Sequence, residues 1–113
     1  MEDASQSIDA TYQNRPLGGL GYFGFFSFQE TKSILSGEGS VLIVNEKQFK
    51  KRTGIIWGKG TNRAEFFRGE VNKYDWVDTG SSFLPSEIIT DFLFAQLEHL
   101  NTIQTKRKEP WSV

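Results

Sequence analysis

The sequence predicts an α/β fold, and three segments carry that prediction. Residues 22–28 form an aromatic run typical of a buried strand, Val41–Val44 is an unbroken apolar run, and residues 85–107 have helical patterning. A chain of 113 residues holds one domain of ordinary size. Because so few elements are available to cover a sheet, we expect the chain to be a piece of a larger α/β protein.

The N-terminal third is expected to be a loop followed by a strand. Residues 1–21 are polar and rich in glycine, which favours loop structure. The strand covers residues 22–28, where Gly24 indicates either a bulge or a close approach of another backbone. A second loop then runs from Lys32 to Gly39.

A second strand and a helix are predicted in the middle of the chain. Val41–Val44 is a short continuous apolar segment, of the kind that lies in the middle of a sheet covered on both faces. Asn45 is suited to cap a helix that runs from Glu46 into the mid-fifties. Gly54 is expected to weaken that helix near its end.

The segment 57–84 is predicted to be long and irregular, because glycines alternate there with charged and aromatic residues. A loop of that length inside a compact domain usually has a function or binds a partner.

A single long helix is predicted from about Pro85 to Arg107. Pro85 suits a first helical turn, and the basic residues 106–108 suit the negative end of the helix dipole. Apolar residues recur on one face of this helix, at Ile89, Leu93, Leu97, Leu100 and Ile103. We expect much of this stripe to lack a partner within these 113 residues.

Composition excludes several classes of function. Lys and Arg number 13 against 14 Asp and Glu, so the formal charge of −1 gives no field that would attract nucleic acid. No apolar run approaches the roughly 20 residues that span a bilayer. Without cysteine there are no disulfides and no thiolate sites. With a polar N-terminus, a cytoplasmic location is the expectation.

Two conspicuous features are interpreted as structural. Residues Gly19–Gly24 match G-x-G-x-x-G, but a polar loop precedes them and a strand-like segment follows, whereas a dinucleotide site needs a strand before and a helix after. We therefore reject a nucleotide site there. His99 is the only histidine, which excludes a histidine-based zinc triad, and it is interpreted as a surface or interface residue on the long helix.

Lys32 is the strongest candidate in the sequence for a reactive side chain. It follows the aromatic strand in a glycine-containing loop, and a lysine in apolar surroundings can have a lowered pKa and act as an amine nucleophile. Taken alone, a single lysine in such a loop is more often solvated surface.

Several spaced motifs in one order resemble the DegT/DnrJ/StrS family of pyridoxal-phosphate-dependent sugar-nucleotide aminotransferases. Together they cover essentially the whole chain, and the later ones resemble one branch, the dTDP-4-amino-4,6-dideoxygalactose transaminases. The motifs are Glu2-Asp3-Ala4-Ser5-Gln6, the segment Phe25 to Lys32, Gly37-Glu38-Gly39, Lys59 to Arg63, Phe66 to Gly69, Lys73-Tyr74, Trp76-Val77-Asp78, Leu84 to Glu87 and Ala95 to Glu98.

The resemblance implies a fold and a cofactor site. The fold is the aspartate-aminotransferase type (fold type I), a mostly parallel sheet covered by helices, in a protein that works as a homodimer. Lys32 looks like the lysine that bonds covalently to pyridoxal 5'-phosphate and later shuttles a proton. Asp3 looks like the carboxylate that faces the pyridine nitrogen, Gln6 like a contact to the ring or its 3-hydroxyl, and Ser27 like a hydroxyl donor to the phosphate. Ser82 matches a position that reaches the phosphate of the partner subunit.

The sequence differs from the family pattern at one position and is expected to cover only part of the family's fold. Gln29 stands where these transaminases commonly carry His, while Lys32 argues against the dehydratase branch, which has His in its place. Residues 1–113 would form the central to C-terminal part of the large cofactor-binding domain. The strand that carries Asp3, the upstream strands and the small C-terminal domain are expected to be missing, and these residues alone are expected to be inactive.

The function implied is amino transfer to a 4-keto-6-deoxy sugar nucleotide of the dTDP-4-keto-6-deoxyglucose type, with L-glutamate as donor, in polysaccharide or surface-glycan biosynthesis. No nucleic acid or membrane partner is expected. Two alternatives stay open: a non-catalytic truncated remnant of such an enzyme, and a small binding module built around the aromatic strand.

Overall fold

The computed structural model describes residues 1–111, which form short strands followed by helices. The strands are β1 (Glu2–Asp3), β2 (Thr11–Tyr12), β3 (Arg15–Pro16), β4 (Phe23–Ser27) and β5 (Ser40–Val44). The helices are α1 (Lys47–Trp57), α2 (Arg63–Phe67), α3 (Glu87–Glu98) and α4 (Leu100–Lys108), followed by a 3₁₀ turn at Glu109–Trp111.

Three strands form a mixed sheet in the order β1-β4-β5. Strand β1 runs parallel to β4, with Asp3 opposite Phe25, and β5 runs antiparallel to β4. The predicted loop over residues 1–21 is therefore wrong in part, since β1 and the β2–β3 hairpin lie within it, and the strand that carries Asp3 is present. Strands of two residues are too short to show an alternating side-chain pattern, so no local pattern indicates them.

The aromatic strand was predicted correctly, and Gly24 is a site of close approach. A Cβ atom built on Gly24 would lie only 2.2 Å from the carbonyl oxygen of Gly18. Gly18 itself has φ +86°, in the left-handed region that favours glycine. The loop before β4 thus folds directly onto the backbone of the strand.

The prediction of β5 was right about the strand and wrong about its place. Within the described residues β5 pairs only with β4, at the edge of the sheet, and Val41 and Leu42 are 42% and 50% exposed. An unbroken apolar run indicates that both faces are to be covered, but it does not say which chain segments cover them.

Helix α1 begins without the predicted asparagine cap. Glu46 is the N-cap residue and makes no side-chain capping bond. The amide of Asn45 instead donates to the carbonyl oxygens of Gly18 (3.1 Å) and Gly21 (2.7 Å). Gly54 lies inside the helix, which continues to Trp57.

The segment 57–84 contains more structure than predicted. Helix α2 lies within it, and isolated antiparallel bridges join Gly58 to Ser82 and Thr61 to Trp76. The buried side chain of Asn62 links the two halves of the segment, since it donates to the carbonyl oxygen of Lys73 and accepts from the N–H of Asp75.

The single helix predicted from Pro85 to Arg107 is two helices, which meet at His99. His99 has φ −103° and ψ 14°, outside the helical range, and serves as the C-cap of α3 and the N-cap of α4. The N-cap of α3 is Ser86, so Pro85 lies before the helix rather than in its first turn. The basic residues 106–108 occupy the last turn of α4, as predicted.

The buried core of the described residues is small. Its apolar members are Ala4, Phe28 and Ile34, and all three lie close to the strand ends or in the loop that carries Lys32. No residue of α3 is buried, which confirms that its apolar stripe lacks a complete partner among residues 1–111. None of the helices described is long and apolar enough to cross a bilayer.

Candidate active site

The parallel pairing of β1 with β4 brings predicted site residues to one edge of the sheet. Asp3 is the last residue of β1 and Ser27 is the last residue of β4. Because the two strands run in the same direction, their carboxyl ends lie at the same edge, and Lys32 follows in the loop after β4. The carboxyl edge of a parallel pair is the usual place for a ligand in α/β proteins.

Asp3 is held as an ionised carboxylate. Its Oδ1 atom accepts hydrogen bonds from the hydroxyl and from the backbone N–H of Ser5, the latter at 3.0 Å. These two bonds, with the nearby positive charge of Lys32, hold the pKa of Asp3 below its usual value. The side chain is exposed, so this carboxylate can meet a ligand directly.

Lys32 lies in a loop whose base is closed by backbone hydrogen bonds. The N–H of Phe28 donates to Gly39 (2.9 Å), that of Ser36 to Phe28 (2.7 Å), and that of Glu30 to Gly37 (3.1 Å). Ile34 is 1% exposed and anchors the loop to the core. Because the base of the loop is closed and Ile34 is buried, the backbone around the half-buried Lys32 is held in position.

Gln29 closes the first turn of the same loop. Its Oε1 atom accepts from the N–H (3.1 Å) and the hydroxyl (2.6 Å) of Thr31, and its carbonyl oxygen accepts from the N–H of Lys32 (2.9 Å). Gln29 therefore supports the turn that leads into Lys32.

The three remaining predicted site residues, Ser27, Gln6 and Ser82, lie in three separate segments of the chain. Ser27 is half-buried, and its Oγ atom accepts from the N–H of Gln29 at 3.4 Å, so its own hydrogen is kept for a donor role. Gln6 is exposed in the turn that the Ser7 N–H closes on Ala4 (2.9 Å), directly after Asp3. Ser82 lies in the separate segment that pairs with Gly58.

Glu2 is a structural support of the site that the sequence did not reveal. Its carboxylate accepts from the backbone N–H groups of Gly18 (2.6 Å), Leu20 (2.9 Å) and Gly21 (3.4 Å). These bonds, the one from Gly18 above all, hold the pKa of Glu2 below its usual value. The side chain of Asn45 binds the same loop from the far end of β5. The only sequence signal was an acidic residue beside Asp3.

A comparison with protein families identifies the chain. The DegT/DnrJ/EryC1/StrS aminotransferase family matches residues 1–113. The chain belongs to this family.

Curated members of the family align along almost the whole chain. It is 28% identical over 109 residues to the UDP-4-amino-4,6-dideoxy-N-acetyl-beta-L-altrosamine transaminase of Helicobacter pylori, covering 96% of this chain and 28% of that protein. It is 33% identical over 102 residues to the GDP-perosamine synthase of Caulobacter vibrioides, covering 89% of this chain and 25% of that protein. The chain thus spans about a quarter of the length of these family members.

Solved structures have the same fold. Helicobacter pylori PseC, an aminotransferase involved in the biosynthesis of pseudoaminic acid, superimposes with a TM-score of 0.79 at 25% identity, over 95% of this chain and 28% of that one. The pyridoxal phosphate form of a sugar aminotransferase from Streptococcus pneumoniae superimposes with a TM-score of 0.76 at 20% identity, over 95% and 27% of the two chains. The predicted α/β fold, part of a fold type I domain, is confirmed.

Membership of the DegT/DnrJ/EryC1/StrS family indicates pyridoxal phosphate as the cofactor, and the donor set of this chain fits that group. An ionised carboxylate suits a protonated pyridine nitrogen, a serine hydroxyl suits a phosphate oxygen, and a primary amine is required for a covalent bond to an aldehyde. Asp3, Ser27 and Lys32 supply these groups at one edge of the sheet.

Proposed function

We propose that the protein is a pyridoxal-phosphate-dependent aminotransferase that acts on a sugar nucleotide. One observation carries this proposal: Asp3, whose carboxylate is held ionised, and Lys32 occur together at the carboxyl edge of β1 and β4. Membership of the family, and relatives named as a transaminase and an aminotransferase, support the same reaction.

Each residue of the site has a role in this proposal. The cofactor, when bound, carries the amino group and accepts the electrons of the broken C–H bond. Asp3 keeps a proton on the ring nitrogen, because its negative charge favours the cationic ring. Nζ of Lys32 would hold the cofactor covalently and, as a free amine, would move the proton in the transfer. Ser27 donates to the phosphate, and Gln6 contacts the ring or its 3-hydroxyl.

The substrate proposed is a 4-keto-6-deoxy sugar nucleotide of the dTDP-4-keto-6-deoxyglucose type, with L-glutamate as amino donor. In the net reaction, an amino group and one hydrogen pass from the donor to the keto carbon of the sugar, while the oxygen lost from that carbon is balanced by the oxygen gained by the donor, which leaves as a 2-oxo acid. Support comes from the resemblance of the segment 59–78 to the dTDP-4-amino-4,6-dideoxygalactose transaminases. The relatives include one named for a 4-amino-4,6-dideoxy sugar, carried on UDP.

The assembly proposed is a homodimer in the cytoplasm, in which residues 1–113 belong to the large domain and Ser82 reaches the phosphate bound by the partner. Exposed apolar side chains on α3 support burial against further protein. Ile88 is 82% exposed, and Phe92 and Phe94 are 52% and 60% exposed. Such a face is normally covered in a finished domain or dimer.

The test is to locate the covalent bond in the protein at its full natural length. Borohydride reduction with pyridoxal phosphate, followed by peptide mapping, should place a pyridoxyl group on Lys32. The matched control is Lys59→Asn, since Lys59 has φ +64° and asparagine tolerates that conformation. The control should keep the adduct at Lys32. In the unmodified protein, a pyridoxyl group on Lys59 instead of Lys32 would overturn the proposal. The absence of any pyridoxyl group would also overturn it and would favour a non-catalytic remnant.

A further inference from the structure

The side chain of Gln96, on helix α3, makes hydrogen bonds to the loop that carries Lys32. Oε1 of Gln96 accepts from the N–H of Leu35 at 3.2 Å, and Nε2 of Gln96 donates to the carbonyl oxygen of the same residue. Both backbone groups of Leu35 are thus bound by one amide, which lies 61 residues further along the chain.

The two hydrogen bonds from Gln96 reach the loop close to Lys32. Leu35 is three residues after Lys32, and the buried Ile34 lies between them. The turn before Lys32 is fixed by the hydrogen bond from its N–H to Gln29. Gln96 binds the segment after Lys32, so hydrogen bonds hold the loop on both sides of the lysine.

We propose that Gln96 is a positioning residue for Lys32, which holds the lysine loop in the orientation that turns the amine toward the cofactor. This inference rests on the proposed function of Lys32. An amide is required because Leu35 presents one donor and one acceptor side by side, and among side chains of this length the glutamine amide matches both without a charge.

Two substitutions separate the hydrogen bonds from the packing. Gln96→Met keeps a similar length and removes both bonds. Gln96→Glu keeps an acceptor for the Leu35 N–H, but an ionised carboxylate cannot donate to the Leu35 carbonyl and is repelled by it.

Gln104 offers a matched control on the neighbouring helix. It is a buried glutamine of α4, and its Nε2 atom donates to the carbonyl oxygen of Ile8 at 2.9 Å. Gln104→Met therefore removes the same kind of bond, from a helix side chain to a loop backbone, together with the bond that Arg107 donates to Oε1 of Gln104 (3.0 Å). The loop affected is the one that follows Asp3 and Gln6, so this variant controls for changes at the site that do not act through the Lys32 loop.

The experiment compares two probes in the protein at its full natural length. Pyridoxal phosphate reports the rate at which Lys32 forms its covalent bond, followed by borohydride trapping and peptide mapping. Pyridoxamine phosphate has an amine in place of the aldehyde and cannot bond to Lys32, so its dissociation constant reports the rest of the pocket. Melting temperatures record the general effect on the fold.

The expected result is a selective effect on Lys32. Because a displacement of about 1 Å can cost roughly 100-fold in a reaction rate, we expect both Gln96 variants to slow bond formation by at least about tenfold, with less than about threefold change for pyridoxamine phosphate. Gln104→Met should leave the rate of bond formation at Lys32 unchanged.

Three results would overturn the inference. They are a normal rate in both Gln96 variants, an equal loss for the two probes, and failure of both Gln96 variants to fold where Gln104→Met folds. If the unmodified protein itself forms no adduct at Lys32, the proposed function fails, which is recognised before any variant is compared.

Discussion

The carboxylate of Glu2 accepts a 2.6 Å hydrogen bond from the backbone N–H of Gly18, 16 residues further along the chain. With the bonds from Leu20 and Gly21, it fixes the loop that packs on Gly24 of the central strand. Strand β1 has only two residues, so few ladder bonds hold it in register. Glu2 therefore contributes to the position of its neighbour Asp3.

Replacing Glu2 by glutamine should destabilise the protein in a pH-dependent way. The pKa of Glu2 is lowered in the folded state, so its carboxylate contributes stability above the unfolded pKa, and that stability is lost as pH falls through the folded pKa. Urea unfolding should show the largest difference between Glu2→Gln and the unmodified protein at neutral pH, shrinking below about pH 4. Glu98→Gln, at an exposed position of α3, is the control. A difference that does not vary with pH would contradict the role of the carboxylate.

Replacing Asp3 by asparagine should slow transamination while Lys32 still bonds to the cofactor. A neutral amide cannot favour the protonated ring nitrogen, and each pKa unit lost corresponds to about 1.4 kcal/mol. Single-turnover kinetics with L-glutamate should show a fall of orders of magnitude. Asp9→Asn is a suitable control, because Asp9 has φ +62°, a conformation that asparagine tolerates. An unchanged rate in Asp3→Asn would remove Asp3 from the mechanism.

Replacing Lys32 by alanine should separate binding from chemistry. The variant should still bind pyridoxamine phosphate through the phosphate and Asp3 contacts, but give no borohydride-stable link. Amino transfer should fall by roughly 10²–10⁴-fold or more, since the nucleophile and the proton shuttle are lost together. Steady-state assays and mass spectrometry of the reduced protein check both parts. Substantial residual transfer would assign the role to another amine.

Adding a methyl group at Gly24 should destabilise the fold. The new Cβ atom would meet the backbone of Gly18 at 2.2 Å, and overpacking of this kind costs about 1–3 kcal/mol. Gly54→Ala is the matched control, because nothing lies within 4 Å of its Cβ position inside α1. That variant should gain about 0.4–1 kcal/mol through helix propensity and a less flexible unfolded chain. Urea unfolding of both variants measures the contrast, and equal effects would contradict the close approach.

Replacing Ser86 by alanine should remove the N-cap of α3 and lower the free energy of unfolding modestly. The hydroxyl of Ser86 accepts from the N–H of Ile89 at 3.4 Å, and loss of an N-cap side chain costs about 1 kcal/mol. Glu46→Ala is the control, since Glu46 is the N-cap residue of α1 but makes no capping bond with its side chain. The two variants should differ in their unfolding midpoints. A larger loss in Glu46→Ala would contradict the assignment of the caps.

The elements that were predicted well are those with a pattern inside one segment. Strand β4, strand β5 and helix α1 lie close to their predicted bounds, because aromatic runs, apolar runs and helical spacing are local properties. The predictions were wrong where contacts with a distant part of the chain determine the local structure. Asn45 binds a glycine loop rather than a helix end, and His99 interrupts a periodic apolar stripe that continues through it.

By itself the sequence determined the family, and it predicted the chemical inventory of the site: a carboxylate at Asp3, a hydroxyl at Ser27 and an amine at Lys32, which are the groups used in the proposed site. Only the tertiary structure decided how these groups are supported. The bonds from Glu2 to Gly18 and from Gln96 to Leu35 join residues 16 and 61 positions apart. No local pattern encodes such pairs, since they form only when strand pairing and helix packing bring the two segments together.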